Sequence, residues 1–224
     1  YLGGKLQNKY DKWNFLVNLV SMVFIGLASV LVSCASIKVA ENQNEIASTE
    51  YQPFFYVSYD YGMQSDGLVQ KDLNIYNIGA PIANAQIHIS EFLVVKRMDN
   101  GESFKDIFRM SGCYFVRNPT GQPEGKLLTT WAYDNVKLEA RLHESVATKE
   151  FSDEFGYTEL EIVAAIKIEY QNRLGLSETK YFLNDQLVNS NEYKKFISSP
   201  VDNFPSDIST LSVSELLRKL SART

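Results

Sequence analysis

Between Phe15 and Ile37 the chain carries no charged residue, and beyond Pro53 apolar residues begin to alternate with polar ones. The first pattern predicts a helix through a bilayer, and the second predicts β-strands. The uncharged run holds 23 residues. As a helix it spans about 34 Å at ~1.5 Å per residue, enough for a ~30 Å hydrocarbon core with some tilt. Residues 38–50 are good helix formers without Gly or Pro, so the helix extends as a short stalk to the break before Pro53.

The alternating part reads as a series of strands. In FFYVSYDYG (54–62), Phe55, Val57, Tyr59 and Tyr61 share one face. DLNIYNIGAPI (72–82) places Leu73 and Ile75 on one face and turns between Asn77 and Pro81. In AQIHISEFLVV (85–95) the apolar set passes from Ile87 and Ile89 to Phe92 and Val94 on the other face, the signature of a β-bulge. Asn100-Gly101 signals a turn, and CYFV and KLLTTWAY (126–133) read as shorter strands. VKLEARLHES (136–145) alternates as Val136, Leu138, Ala140 and Leu142, which favours strand, although its residue types tolerate helix. ELEIVAAIKIEYQNRLGLSETKYFLN (159–184) is the clearest hairpin, turning near Asn172–Gly175. Ser212-Val-Ser-Glu215 has the spacing of a capping box opening a terminal helix.

The fold class expected from these patterns is mainly β. Residues 1–12 form an N-terminal flank, 13–37 a transmembrane helix and 38–52 a helical stalk. A β-sandwich domain follows over 53–200, then a tail over 201–224 with a short helix. The chain opens on Tyr1 rather than Met, as a processed chain or a fragment does.

Charge then orients the helix. Lys5, Lys9 and Lys12 precede the apolar run, while Lys38, Glu41 and Glu45 follow it. The positive-inside rule puts the N-terminus in the cytoplasm and the β domain outside, as a single-pass cell-membrane protein. Tyr10 and Trp13 stand where aromatic rings favour the interface. Residues 1–40 hold four lysines and one aspartate, a net of +3, which leaves −8 on the remainder of a chain of formal charge −5. So acidic a domain argues against nucleic acid as a partner.

Within the helix, Gly26, Ser29, Ser33, Ser36 and Ala40 are spaced 3, 4, 3 and 4. They form a heptad-like seam of small residues on which another membrane helix can pack closely, and Gln43 and Ala47 continue it. The partners expected are therefore the bilayer itself and a membrane protein or a second copy of the chain. Cys34 lies in the same stretch. Leu31-Val32-Ser33-Cys34 resembles the lipobox of bacterial lipoproteins. That resemblance implies cleavage before Cys34 and lipidation there. The preceding run is long for a signal core of ~7–15 residues, which favours an uncut anchor.

Little else carries chemistry. His88 stands between two isoleucines, and His143 sits beside Glu144, whose side chain faces the other way in a strand. Neither has the partner that acid–base catalysis needs. Cys113 is far from Cys34, which argues against a disulfide, and reads as a buried thiol. Asp153 and Glu154 lack calcium-loop spacing, and no P-loop, GxSxG or zinc spacing occurs, so no cofactor or metal is expected. Phe54 and Tyr56 alternate with the inward residues of the first strand and form a candidate partner surface.

DLNIYNIGAPIANAQIHI and IKIEYQNRLG together resemble the immunoglobulin-like ectodomains of single-pass bacterial membrane proteins. That resemblance implies a fold and no activity. The function expected is a non-enzymatic, membrane-anchored accessory or scaffold subunit. The alternative is a tethered binding module for a soluble ligand, lipidated at Cys34.

Overall fold

A computed structural model describes residues 3–50, 52–63, 67–99, 101–116, 120–201 and 205–221. Asn100 of the expected turn lies outside them, as do the side chains of Lys5, Lys9, Lys12, Tyr10, Glu45 and Ala47. The chain divides into two units, residues 1–50 and 51–224.

The first unit is one continuous helix, α1 (Gly3–Glu50). No Gly, Pro or cap interrupts it between the apolar run and the polar residues that follow, so the expected membrane and stalk segments are one element. Its segment Leu19–Gln43 is long and apolar enough to cross a membrane, as an anchor or a signal sequence does, and every side chain in it is exposed.

The second unit is mainly β, as the alternating pattern predicts. Its strands are β1 (Phe55–Met63), β2 (Val69–Asn77), β3 (Ala83–Asp99), β4 (Glu102–Ser111), β5 (Phe115–Val116), β6 (Gly125–Trp131), β7 (Tyr157–Gln171), β8 (Ser177–Leu183), β9 (Gln186–Val188) and β10 (Ser206–Asp207). They form a four-stranded sheet, β1-β2-β6-β5, and a six-stranded sheet, β10-β4-β3-β7-β8-β9. Neighbours run antiparallel except β10 with β4.

One core joins the sheets. Phe55, Val57, Leu73, Ile75 and Leu128 of the smaller sheet pack against Leu93, Val95, Phe108, Ile166 and Ile168 of the larger. The helices α2 (Asn135–Val146), α3 (Lys149–Phe155) and α5 (Val213–Ser221) add Leu142, Val146, Phe151, Phe155, Leu216 and Leu217 to it. A second cluster lies on the far side of the larger sheet. There α4 (Ser190–Ile197) sets Tyr193 against Phe92, Val94, Ile107, Val163 and Ala165.

Three expectations are corrected or refined. Residues 136–145 are helix α2, not strand. Leu138, Leu142 and Val146 recur every four residues and turn toward the core, while Lys137 and Arg141 stay exposed. Over so short a window a period of two and a period of 3.6 select overlapping residues, and the good helix formers decide. The pattern switch in β3 is not a bulge at Glu91 and Phe92. The ladder with β7 runs unbroken from Gln86 to Met98, and its shift lies between Ala83 and Gln86, where Asn84 takes φ +52°. The apolar set changes face because both faces of β3 are covered, one by the main core and one by α4. The Ser212 half of the expected capping box at α5 is present in loose form: Glu215 N donates to Ser212 Oγ at 3.5 Å.

Candidate interaction surface

On α1 the seam residues keep the geometry their spacing predicts. At about 100° per residue, Gly26, Ser29, Ser33, Ser36 and Ala40 fall within an arc of roughly 80°. All five are exposed. The hydroxyls of Ser29, Ser33 and Ser36 donate to the carbonyls of Ile25, Ser29 and Val32 at 2.8, 2.8 and 2.9 Å. Each proton is therefore used inside the helix, as serines in apolar surroundings require. A neighbour on this seam would gain close backbone approach rather than new hydroxyl donors. A Cβ added at Gly26 would meet nothing within 4 Å. Cys34 is also exposed but lies about 120° around the helix from the middle of the arc.

On the β domain, Phe54 and Tyr56 lead to a larger surface. Phe54 is 61% and Tyr56 37% exposed. Tyr56 stacks on Tyr76 of β2 with ring centroids 4.7 Å apart and planes 5° from parallel. Lys126 of β6 sets its Nζ 5.3 Å from the Tyr76 centroid. The register explains the meeting: Tyr56 is opposite Tyr76, and Tyr76 opposite Lys126, so all three share the outer face of the smaller sheet. Farther along that face Asn74 Nδ2 donates to Asp60 Oδ2 at 2.8 Å, and Thr129 Oγ1 donates to Asn74 Oδ1 at 2.8 Å. Beyond this polar row Phe115 stacks on Trp131 at 4.7 Å. Sequence reasoning found Phe54 and Tyr56 but not Tyr76, Lys126, Phe115 or Trp131. Alternation marks which residues face out, while only strand register tells which of them touch.

The faces of Tyr56 and Tyr76 are largely used on each other and on Lys126. What the surface offers is the outer side of the Tyr56 ring, the ring edges and the hydroxyls. That suits the side of a protein segment better than a sugar ring, which needs an open aromatic face.

Two buried polar nodes hold the loops that frame this face. Asn77 is fully buried and uses both ends of its amide. Its Oδ1 accepts from Phe54 N at 3.2 Å and Gly79 N at 3.1 Å, and its Nδ2 donates to Ala80 O at 2.8 Å and Pro123 O at 3.1 Å. Three chain segments meet at this one side chain. Ile78 N and Ala80 N add bonds to Phe54 O and Gln52 O. Gly79 is required there, since a Cβ would come within 2.5 Å of Phe54 N and 2.6 Å of Gln52 O. The second node is Glu91, 8% exposed, whose Oε2 and Oε1 accept from Cys113 N at 2.9 Å and Tyr114 N at 2.8 Å. Burial raises its pKa, the two amides oppose this, and the charge of Asp207 adds to the rise.

The remaining candidates stay apart. His88 is an exposed strand histidine with Nε2 3.5 Å from Glu169 Oε2. His143 is exposed on α2, not on the strand expected for it. Cys113 is buried, and desolvation pushes its thiol up, away from nucleophilic character. Glu154 forms a paired contact with Arg218, both hydrogen bonds at 2.8 Å. Among the described residues no three His, Cys, Asp or Glu gather as metal ligands. No model of a known protein family matches the chain, and no curated protein matches it significantly.

Proposed function

We propose that this chain is a membrane-anchored, non-enzymatic accessory or scaffold subunit. Its helix α1 packs on a partner helix through Gly26, Ser29, Ser33, Ser36 and Ala40. Its β domain docks on a partner outside the cytoplasm through the face around Phe54 and Tyr56. One observation carries the reading: Leu19–Gln43 is long and apolar enough to cross a membrane, is uncharged as far as Ile37, and is exposed throughout. Water does not tolerate so large an apolar surface, and lipid does. The lysine bias of the flanks supports a cytoplasmic N-terminus.

The β domain is of immunoglobulin-like type on this reading. Strand order supports it: β1-β2-β6-β5 facing β4-β3-β7-β8 corresponds to ABED facing C′CFG, with α2 and α3 in the connection between E and F. The lipobox-like run Leu31-Val32-Ser33-Cys34 favours a second reading, a lipoprotein-type binding module cut and acylated at Cys34.

Replacing Ser29 and Ser33 together by Leu tests the first reading. Leu fills the seam by several methylenes at each position, so co-purification of partner polypeptides from gently solubilised membranes should be lost. Unchanged assembly counts against it. The intact mass of the same chain decides the second reading, since cleavage before Cys34 removes α1 up to that residue.

A further inference from the structure

Sheet edges are where a β domain is open to another strand, and three of the four here are short. The six-stranded sheet ends in β9, three residues, and β10, two residues. The smaller sheet ends on one side in β5, again two residues. Its other edge is β1, nine residues long, and among the described residues no strand pairs with its outer side.

The register identifies which backbone groups lie there. Ile78 N donates to Phe54 O, so Phe54 and Ile78 are a hydrogen-bonded pair. By antiparallel alternation Tyr56, Ser58, Asp60 and Gly62 turn their amides and carbonyls to β2. Phe55, Val57, Tyr59, Tyr61 and Met63 turn theirs away from the sheet. The usual protections against edge pairing are missing. β1 contains no Lys, Arg or Pro, and its one charge, Asp60, accepts a hydrogen bond from Asn74.

We infer that the open edge of β1 pairs with β1 of a second copy of this chain, antiparallel across a two-fold axis, joining two four-stranded sheets into one of eight. A symmetric register with Ser58 facing Ser58 puts Val57 opposite Tyr59 and Phe55 opposite Tyr61, and forms about eight backbone hydrogen bonds. In that register the two Asp60 carboxylates sit about 13 Å apart along the strands, at ~3.3 Å per residue, so like charges do not meet.

A second copy fits this edge better than an unrelated strand because the register of β1 on itself is self-complementary and because α1, whose seam a second copy can also fill, directly precedes β1 in sequence. Only residues 51–54 separate α1 from β1. On the anchor reading, on which this argument rests, two copies paired along the helix seam hold their β1 edges at high effective concentration, so a strand pairing that is weak alone becomes stable.

The test uses the full chain in its own membrane with Cys34 replaced by Ser, and Ser58→Cys as the reporter. Oxidation should give a disulfide dimer of twice the chain mass, since facing Cβ atoms in a non-hydrogen-bonded pair are close. Leu187→Cys, on exposed β9, should not cross-link. Tyr61→Pro, added to Ser58→Cys, removes an outward amide while leaving the bonds to β2, and should abolish the dimer. A Ser58→Cys chain that stays monomeric overturns the inference. So does one that cross-links to a polypeptide of different mass, or one whose dimer survives Tyr61→Pro. Alkaline washing of the same membranes reads the anchor separately: release of the chain refutes the anchor, whatever the cross-link shows.

Discussion

The larger sheet covers Phe92 and Val94 with α4 on one face and Leu93 and Val95 with the main core on the other. The smaller sheet covers only its inner face and leaves Tyr56, Tyr76, Lys126, Phe115 and Trp131 on the other. The larger sheet closes its edges with strands of two or three residues, while among the described residues no strand covers the nine-residue edge of β1 in the smaller. Most of the stabilising burial therefore gathers around β3 and β7, whereas the surfaces fit for recognition gather on β1, β2 and β6. A domain arranged this way can lose contacts on its smaller sheet and keep its larger one.

The sharpest way to break that comparison is at Asn77. Asn77→Ala leaves Phe54 N, Gly79 N and Ala80 O without this partner, while Pro123 O keeps its bond from Ile82 N at 2.9 Å. The expected cost is about 4 kcal/mol, since each buried unsatisfied group costs ~1–3 kcal/mol and water reaches some of them. Hydrogen exchange should show β2 amides losing protection while β3 and β7 keep theirs. Equal loss in both sheets would mean that the two do not differ in the way described.

A smaller effect tests the other sheet. Glu91 titrates higher in the folded chain than in the unfolded one. Its contribution is thus fully present below the unfolded value and is lost as pH rises through the folded one. Glu91→Gln keeps the shape and removes the titration, at an expected cost of about 1–2 kcal/mol from an amide group facing a backbone N–H. As pH rises from the ordinary carboxylate range upward, the stability of the native chain relative to this variant should fall. Denaturant unfolding across that range checks it, and a rising difference would refute the sign.

The smallest effect belongs to the open face. Tyr56→Ala should cost no more than about 1 kcal/mol, because a stacked pair contributes ~0.5–1.5 kcal/mol and this one is partly wet. Partner capture should fall far more than stability does. Equal losses in both would make Tyr56 a packing residue and the face a passive one.

The strands of the sandwich were legible because their inner faces alternate: Phe55 with Val57, Leu73 with Ile75, and Ile166 with Ile168 are all buried. The hairpin at Asn172 was legible too, since Asn172 Oδ1 accepts from Leu174 N and Leu176 N and Gly175 takes φ +76°, which those residue types favour. The coverage of β3 on both faces was not, because it depends on α4 arriving from a hundred residues later. Glu91 shares a face with Ile87 and Ile89, so its face could be read from alternation. Its burial could not, since its partners are backbone amides at 113 and 114, which leave no trace in side-chain periodicity. Tyr56 could be nominated from sequence, but its stack on Tyr76 awaited the register of β1 on β2.

The Asn77 node has a mechanical meaning as well. Any tension drawn through α1 enters the β domain at residues 52–54, the segment that Asn77, Ile78 and Ala80 grip through Phe54 N, Phe54 O and Gln52 O. Tension along β1 then shears these bonds and the ladder to β2 together, instead of peeling them one at a time. Gly79, with no side chain to hold the segments apart, is what lets this clamp close.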